Sequence, residues 1–341
     1  MTSKVLVTGG YGYIGSHTVI ALQEQGFDCI VLDNLINSDL SVGRRIESVS
    51  GEKHQFYNVD VRNKAALMDV FSKEGSISAV IHFAAFKSVN ESVLDPVKYF
   101  DNNVSGLINV IQACEFHCVD LVFSSSCTVY GSAVEMPLKE TAPTNKQQSP
   151  YGVTKAVGET LISHAVANKK FRATSLRFFN PVGAHESGLI GEVQTSKTET
   201  LLPIIVDVAL GNRTSLEVFG ANYPTSDGSC IRDFIHVCDV AEAHVAALGY
   251  MKSQENTFYE VFNIGVGKGT SVFEMVSRFE SINKVKVKKL ISDRRIGDIV
   301  VSWADVQKSK DVLDWQATRS LDDIVKTAWN FANKMEQQED R

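Results

Sequence analysis

The chain contains 341 residues, of which 44% are hydrophobic and 22% are charged, and its formal net charge is −6. This composition is typical of an ordinary folded protein, and the length allows one large domain or two domains that share a cleft. We expect no nucleic-acid partner, because the chain is acidic and has no arm rich in lysine and arginine. No apolar run approaches membrane-spanning length, so we also expect no membrane association.

The cysteines and the first residues predict a cytoplasmic protein. The six cysteines lack the regular spacing of a disulfide framework, which favours free thiols in a reducing compartment; they are Cys29, Cys114, Cys118, Cys127, Cys230 and Cys238. The chain opens directly into a strand-like run, Lys4-Val-Leu-Val-Thr8, with no stretch that resembles a cleavable signal. Cys114, His117 and Cys118 lie close together, but the second ligand pair of a metal site is missing, so we expect no metal.

Short β-type runs alternate with amphipathic segments through the first half of the chain. The predicted strands are residues 5–8, 29–33, 56–59, 79–83, 121–125 and 174–178. The predicted helices are residues 12–25, 64–73, 96–116 and 152–168. This order predicts an α/β fold with a Rossmann-like, doubly wound parallel sheet.

The pattern changes after Asn180-Pro181-Val182-Gly183, where glycine, proline and polar residues separate helices predicted at 200–210, 240–252, 271–280 and 321–334. We therefore expect a Rossmann domain at 1–180 and a smaller C-terminal α/β lobe at 181–341 that binds substrate. The boundary is approximate, because residues 261–265 resemble a strand that could return to the large sheet. The alternating run from Lys284 to Lys289 predicts a further strand with a solvated lysine face.

A glycine-rich turn follows the first predicted strand. Glycine permits a tight turn and a close approach of the backbone to a pyrophosphate, which the free amides of a helix N-terminus favour. Asp33 ends the second predicted strand about 20 residues later, as the dinucleotide fingerprint requires. Its carboxylate can accept hydrogen bonds from the adenosine ribose and would repel a 2′-phosphate, so NAD is favoured over NADP. The predicted cofactor residues of the turn are Gly9, Gly12, Tyr13, Ile14 and Gly15.

Further cofactor candidates lie in the loops after the second, third and fourth predicted strands: Asn34, Asn37, Ser38, Asp60, Val61, Phe83, Ala84 and Ala85. For the residues after the third and fourth strands, ordinary strand ends are an equally good interpretation. Arg44 and Arg45 could in principle weaken the preference for NAD, although no basic residue follows Asp33 directly.

Tyr151 and Lys155 are the strongest candidates for catalysis. Their four-residue spacing places both side chains on one face of a helix, where the ammonium can lower the pKa of the phenol and make it a usable proton acceptor. Ser124, Ser125 and Ser126 end a predicted strand at the edge where ligands of open α/β sheets bind. A hydroxyl there can donate to a substrate oxygen and share a proton with Tyr151, although an isolated serine cluster usually marks a strand-to-loop transition.

Together these motifs resemble a known family. The extended short-chain dehydrogenase/reductases share the glycine turn, the Ser124–Ser126 triplet followed by Cys127-Thr128-Val129-Tyr130-Gly131, and Ser149-Pro150-Tyr151-x-x-x-Lys155. The UDP-glucose 4-epimerases resemble the chain more closely, through Phe178-Phe179-Asn180-Pro181-Val-Gly-Ala-His185, Arg232-Asp233-Phe-Ile-His236 and Arg294-Arg295-x-Gly297-Asp298. This resemblance extends along nearly the whole chain.

The resemblance implies a hydride cycle without net redox change. Tyr151, as phenolate, would take the proton from the sugar O4 while C4 delivers a hydride to NAD, and the 4-keto sugar would turn before the hydride returns. Lys155 would lower the pKa of Tyr151 and hold the nicotinamide ribose, while Ser126 would bridge Tyr151 and O4.

The resemblance also implies binding roles outside this group. Lys87 and Thr128 would lie near the reaction centre, with Lys87, Asn102 and Phe179 also contacting the cofactor. The expected nucleotide contacts are Asn180, Arg232 and Arg295 on the diphosphate, Phe219 on uracil, Asp298 on the ribose, and Thr200 and Leu201 nearby. A surface salt bridge is the competing interpretation for each arginine taken singly.

The chain departs from the family pattern at three places. Ser302 stands where many of these epimerases carry tyrosine, so we expect room for an N-acetyl group and acceptance of UDP-GlcNAc and UDP-GalNAc. Glu199-Thr200-Leu201 replaces a common Asn-Asn-Leu, and Phe178 stands where tyrosine is frequent. These two changes predict a shorter or missing contact to the nucleotide at Thr200.

Three other functions fit parts of the pattern. A nucleotide-sugar 4,6-dehydratase would place Asp-Glu after the serine strand, where this chain has Cys127-Thr128. A non-catalytic NAD-sensing regulator would typically have lost the Tyr151 and Lys155 pair, and a plain ketoreductase would need added cofactor. The family also implies a homodimer packed through helices 96–116 and 152–168, although packing within one chain would explain their amphipathic faces equally well.

Overall fold

The computed structural model describes residues 3–132, 135–167, 171–193, 200–295 and 298–339. The strands are β1 Lys4–Thr8, β2 Asp28–Asp33, β3 Gln55–Asn58, β4 Ile77–His82, β5 Asp120–Ser126, β6 Ala173–Phe178, β7 Asn180–Val182, β8 Leu216–Phe219, β9 Ile231–Arg232, β10 Phe234–His236, β11 Tyr259–Ile264, β12 Thr270–Ser271, β13 Lys289–Ser292 and β14 Val301–Ser302. The α-helices are α1 Tyr13–Glu24, α2 Ser41–Ser50, α3 Lys64–Glu74, α4 Val89–Leu94, α5 Pro96–Tyr99, α6 Gly106–His117, α7 Pro150–Ala167, α8 Leu201–Leu210, α9 Val237–Lys252, α10 Val272–Asn283, α11 Gln307–Leu313 and α12 Leu321–Glu339. A π-helical segment, Phe100–Ser105, joins α5 to α6, and a 3-10 turn, Cys127–Tyr130, follows β5.

A parallel sheet of seven strands, ordered β11-β6-β5-β4-β1-β2-β3, forms the centre of the described molecule. Helices cover both of its faces, which is why its strands are nearly continuous apolar runs rather than alternating ones. Successive side chains of β1 illustrate this, because Val5 packs into one buried apolar cluster and Leu6 into the other. The sheet confirms the predicted Rossmann-like, doubly wound α/β fold.

The strand order reverses between β1 and β4. The chain adds β2 and β3 on one side of β1, and β5 and β6 on the far side of β4. In open α/β sheets this reversal opens a crevice at the carboxyl ends of the strands, where ligands bind. Thr8 and His82, which end β1 and β4, are register partners there, and their side chains are hydrogen-bonded at 2.7 Å.

The second half of the chain builds smaller sheets around a separate apolar cluster. The pairs β10-β7 and β13-β8 and the three-stranded order β12-β9-β14 make up these sheets. Helices α8, α10 and α12 supply buried side chains such as Ile205, Phe279 and Val325 to the cluster. Strand β11 crosses back and pairs with β6, as the sequence allowed, whereas the boundary near residue 180 stays a prediction.

Several elements differ from the sequence-based expectations. The helix predicted at 96–116 is interrupted by the π-helical segment, and α2 was not predicted. The helix predicted at 152–168 spans Pro150–Ala167, while Asn168 lies outside the described residues. The strand predicted from Lys284 was wrong: α10 runs to Asn283, Lys284 adopts a left-handed φ of 57° as its cap, and β13 begins only at Lys289. None of the helices in the described ranges combines the length and apolar character that crossing a membrane requires.

Candidate active site

The glycine turn packs against the end of β4 and leaves no room for side chains. Gly9 adopts a left-handed φ of 69°, and a Cβ there would lie 2.7 Å from the backbone nitrogen of Ala84. A Cβ on Gly15 would collide with the carbonyl oxygen of Gly9. Gly12, at the N-cap of α1, provides no side-chain cap, so the first amides of the helix remain available to an anion. The turn therefore fits a dinucleotide pyrophosphate.

The Asp33 carboxylate is held at the end of β2 by hydrogen-bond donors only. Its oxygens accept from the backbone amides of Tyr11 at 3.1 Å and Leu35 at 2.9 Å, and from the Ser38 hydroxyl at 3.0 Å. Arg45, which could have weakened the NAD preference, instead donates to Ser41 and to Met335 on α12. An acid in this setting fits a ribose with free hydroxyls.

The other candidates on the adenine side are linked to one another. Asn34 donates to Asp60 at 3.1 Å, and Asp60 also pairs with Arg62 at 2.8 Å. The hydrogen bond from Arg62 lowers the pKa of Asp60 to about 2. Val61 is buried and meets Gly106 of α6, whereas Asn37 is exposed in the loop between β2 and α2.

The π-helical segment is hydrogen-bonded to the loop after β4. Asn103 accepts from the amide of Phe86 at 2.9 Å and donates to the carbonyl of the same residue at 3.0 Å. It also donates to Thr154 on α7, so it joins this loop to the helix of Tyr151. Asn102, a predicted cofactor residue, is buried beside it and donates to it at 3.0 Å. π-Helical turns of this kind often occur at functional sites.

The predicted catalytic residues lie together at the carboxyl edge of the sheet. Tyr151 is buried and its phenol lies beside the hydroxyl of Ser126. The Lys155 ammonium donates to the carbonyl of Ser124 at 2.7 Å and lies 5.8 Å from the centre of the Tyr151 ring. The hydroxyl of Thr128, one turn from Ser126, is buried without a hydrogen-bond partner among the described residues. A buried hydroxyl of this kind fits a site that binds a polar ligand.

The predicted lowering of the Tyr151 pKa by Lys155 was wrong for the protein alone. Burial raises the pKa of Tyr151 to about 12, and the neighbouring Ser126 hydroxyl opposes this only in part. Burial also lowers the pKa of Lys155 to about 7. Lys155 is therefore only partly charged at neutral pH in the protein alone.

The candidate nucleotide-binding residues pair with one another. Arg232 forms an ion pair with Asp298 at 2.5 Å, and the guanidinium of Arg295 stacks on the ring of Phe219 at 3.9 Å. The amide of Asp298 donates to the carbonyl of Arg295 at 3.2 Å, so the two pairs lie next to each other. Ser302, on β14, is buried and is the register partner of Arg232. Gly297, which belongs to the same motif, lies outside the described residues.

Glu192 connects two candidates that the sequence did not link. It pairs with the exposed ammonium of Lys87 at 2.5 Å and accepts from the Thr200 hydroxyl at 3.5 Å. The Lys87 ammonium also lies 5.7 Å from the ring of Tyr13, whose phenol donates to the carbonyl of Gly183. No sequence pattern marked Glu192, because it is a single acid in a loop.

The remaining candidates follow β4, lie at the junction of β6 and β7, or lie on α1 and α8. Phe83, Ala84 and Ala85 follow β4, and the amide of Phe83 donates to the carbonyl of Thr8. Phe179 is buried between β6 and β7, Asn180 begins β7, and Leu201 begins α8. Ile14 lies half-buried on α1. Among the described residues, no group of three or more histidine, cysteine or acidic side chains is arranged to hold a metal ion.

Comparison with known families assigns the chain to one of them. The model of the NAD dependent epimerase/dehydratase family matches residues 5–265. The chain belongs to this family. Membership confirms NAD as the cofactor that the glycine turn and Asp33 predicted.

Individual relatives narrow the assignment. The UDP-glucose 4-epimerase of Erwinia amylovora is 42% identical over 333 residues, which cover 97% of this chain and 98% of that protein. A crystal structure of UDP-glucose-4-epimerase from Stenotrophomonas maltophila, with bound NAD and formylated UDP-arabinopyranose, is 43% identical with a TM-score of 0.95 and covers 98% of this chain and 99% of that one. The UDP-Glc/GlcNAc 4-epimerase of Campylobacter jejuni is 34% identical with a TM-score of 0.84, covering 97% of this chain and 99% of that one. Within the family, the chain belongs with the UDP-glucose 4-epimerases, as its motifs predicted.

Proposed function

We propose that this protein interconverts the C4 epimers of UDP-hexoses with NAD as a bound cofactor. The observation that carries the proposal is the buried group of Ser126, Tyr151 and Lys155 at the carboxyl edge of the sheet that also bears the glycine turn. An enzyme of this kind must move a proton at the sugar O4 and let the sugar present both faces in turn.

The chain's own residues handle the proton. When bound, NAD supplies a reversible acceptor for the hydride from C4. The Tyr151 phenolate oxygen takes the proton from O4 and returns it after the sugar has turned. Ser126 holds O4 and the phenol in line, because its hydroxyl can donate to one oxygen and accept from the other. Lys155 in its ammonium form stabilises the phenolate, and its bond to the Ser124 carbonyl fixes its position.

The nucleotide end is held while the sugar turns. Arg232 and Arg295 provide guanidinium forks suited to a diphosphate, with Asn180 beside them. Phe219 offers a face to uracil and Asp298 can accept from ribose hydroxyls. Because these groups pair with one another, ligand binding exchanges the Arg232–Asp298 ion pair and the Arg295–Phe219 stack for contacts with the nucleotide.

The substrate range is proposed to include N-acetylated sugars. The Ser302 side chain lies buried beside Arg232, where a tyrosine ring would fill space near the bound sugar. A serine leaves that volume to the C2 substituent. We therefore expect turnover of UDP-GlcNAc and UDP-GalNAc as well as of UDP-glucose and UDP-galactose.

We further propose a cytoplasmic homodimer. Exposed apolar side chains on α5, the π-helical segment and α6, among them Val97, Phe100 and Ile108, provide a surface for a second copy. The six cysteines are unpaired, which suits a reducing compartment.

Incubation of the purified protein with each of the four UDP-sugars, without added NAD, tests the proposal. We expect all four to be converted to their C4 epimers, identified by nuclear magnetic resonance of the products. Conversion that requires a continuous supply of NADH would indicate a ketoreductase, and a product that has lost water would indicate a 4,6-dehydratase. No conversion even with NAD added would refute catalysis and favour a regulator.

A further inference from the structure

The face of α7 that carries Tyr151 and Lys155 continues for one more turn, to Glu159. Each of these three side chains, spaced four residues apart, meets one member of the serine triplet on β5. Tyr151 lies beside the hydroxyl of Ser126, and Lys155 donates to the carbonyl of Ser124. Glu159 accepts a hydrogen bond of 2.6 Å from the hydroxyl of Ser125. The end of β5 and one face of α7 are therefore paired residue by residue.

Glu159 is held from its other side by Arg177 of β6. The guanidinium Nε lies 2.9 Å from one carboxylate oxygen, and Nη2 lies 2.5 Å from the other. The exposed fractions of the two side chains are only 6% for Arg177 and 8% for Glu159. The geometry is the two-point pairing that fixes orientation as well as distance.

Further hydrogen bonds hold the arginine. Arg177 donates to the phenol of Tyr130 at 2.9 Å and to the carbonyl of Glu140 at 3.0 Å. The Tyr130 phenol in turn donates to Asn263 on β11 at 2.6 Å. The network joins β5, β6, β11, α7 and the 3-10 turn after Ser126, and a buried network with its hydrogen bonds satisfied rigidifies the elements that it joins.

Stability alone gives little reason for an ion pair at this place. Removing two charges from water costs several kcal/mol for each ion, so buried pairs are often replaceable by apolar residues without loss of stability. The pair lies directly behind the proton-handling residues instead. We propose that Glu159, locked by Arg177 and Ser125, is a positioning residue that holds the Tyr151 and Lys155 face of α7 against the end of β5 and supplies Lys155 with a counter-charge. The inference rests on the function proposed above, in which Lys155 acts as an ammonium.

The electrostatic surroundings of Lys155 agree with this role. Its titratable neighbours are Tyr151 and Glu159 on its own helix and His82 on β4, with Arg177 behind Glu159. Glu159 raises the pKa of Lys155 and so opposes the larger lowering by burial. Burial keeps His82 neutral, with a pKa of about 3, so it carries no charge in the range where Lys155 titrates.

The test is a titration of Lys155 in wild type and in Glu159→Gln. The Lys155 signal of protein labelled with ¹³C at lysine Cε is assigned by its absence from Lys155→Met, and it reports the protonation midpoint without any turnover. We expect Glu159→Gln to lower the midpoint by about one pH unit, because the counter-charge is lost and the positive charge of Arg177 is left without its carboxylate partner. The alkaline limb of the kcat profile is expected to move by a similar amount, and kcat near pH 8 to fall about tenfold or more with KM within about threefold.

Two further variants separate positioning from general destabilisation. Asp120→Asn breaks the matched pair with Arg172, a two-point Arg–carboxylate contact at the opposite end of β5 and β6. We expect it to lower the free energy of unfolding without moving the Lys155 midpoint. The double variant Glu159→Gln with Arg177→Met removes both charges, so it should fold even if Glu159→Gln alone does not. Its Lys155 midpoint should still lie below that of wild type.

An unchanged Lys155 midpoint in a folded variant that lacks the Glu159 carboxylate would overturn the inference, as would an equal shift in Asp120→Asn. Absence of epimerisation by the wild type would refute the proposed function instead, and the titration would still report whether Glu159 sets the charge of Lys155.

Discussion

Tyr151 carries one buried oxygen that the proposed chemistry needs and that folding does not. Its pKa is raised to about 12 in the protein alone, so the hydroxyl is held neutral beside Ser126. Tyr151→Phe removes only this oxygen, and we expect kcat to fall by about 10²- to 10⁴-fold because no base remains at O4. Calorimetric titration with UDP should give nearly the wild-type affinity. A variant that retained most of its turnover would mean that another group is the base.

Lys155 should make stability depend on pH in a defined direction. Its pKa is lowered by burial to about 7, whereas an unfolded lysine titrates near its ordinary value of about 10.4. Between these values the unfolded chain binds the extra proton, so the free energy of unfolding rises with pH in this window. Chemical denaturation of wild type and Lys155→Met at pH 7 and pH 10 tests this. Between pH 7 and pH 10, we expect the free energy of unfolding to rise by about 1–4 kcal/mol more in wild type than in the variant. An equal change in both proteins would contradict the pKa shift.

Ser302 is the residue on which the proposed substrate range depends. Ser302→Tyr should fill the volume left for the C2 substituent, so turnover of UDP-GlcNAc should fall by about 100-fold or more. UDP-galactose turnover is expected to change by less than about threefold. Ser302→Thr, which adds a single methyl group, is the matched control. Equal losses on both classes of sugar would show that the ring disturbs the site rather than excluding the acetyl group.

At the scale of elements, the π-helical segment is expected to affect cofactor retention. Asn103→Ala removes four hydrogen bonds, two with Phe86 in the loop after β4, one to Thr154 and one from Asn102. We expect the free energy of unfolding to fall by about 1–3 kcal/mol, and the purified variant to contain less NAD than wild type. The NAD content is read from the absorbance of the extract after denaturation.

Asn283→Ala is the control for this experiment. Asn283, the last residue of α10, also donates twice to backbone carbonyls, those of Phe279 and Val325 at 3.2 Å each. A similar loss of stability with unchanged NAD content is expected there. Equal NAD loss in both variants would mean that general loosening, and not the grip on the β4 loop, releases the cofactor.

The elements that sequence predicted well are those whose burial dictates their pattern. Strands of the central sheet are covered on both faces, so their apolar runs stand out, and all six predicted in the first half were found within one or two residues. Strands such as β9 and β14 have only two residues each and are too short to show any period. The π-helical segment contains Asn103, whose tertiary contacts with Phe86 and Thr154 local propensity does not encode. The strand predicted from Lys284 was wrong because the alternation of lysines cannot show where the preceding helix ends. In the structure α10 continues through Asn283.

At the scale of the site, sequence predicted the residue types but not their pairing. The spacing of Tyr151 and Lys155 was sufficient to place them on one helix face, and the same spacing marked Glu159, which the sequence interpretation overlooked. The Arg232–Asp298 ion pair joins residues 66 positions apart, a relation that no local pattern contains. The raised pKa of Tyr151 likewise depends on burial, which only the folded chain reveals.

At the scale of the whole molecule, the proposed homodimer predicts that one surface substitution can shift the protein from dimer to monomer. Val97, on α5, is 76% exposed, so Val97→Glu costs the monomer little but would bury a charge between two copies. Sedimentation should show a dimer for wild type and a shift toward monomer for the variant. Ile291→Glu, at a 63% exposed position of β13 away from these helices, should leave the dimer intact. A wild-type monomer at all concentrations would refute the proposal.

The return of β11 to the edge of β6 bears on how this protein can be divided. A fragment ending near residue 180 would contain the glycine turn and the Tyr151 helix, yet it would leave the backbone of β6 unpaired along one side. Open strand edges recruit other chains, so such a truncation should be recovered as aggregate rather than as a free nucleotide-binding module. Expression of the cofactor-binding half therefore requires a fragment that ends beyond Ile264 and includes the residues between 180 and 264.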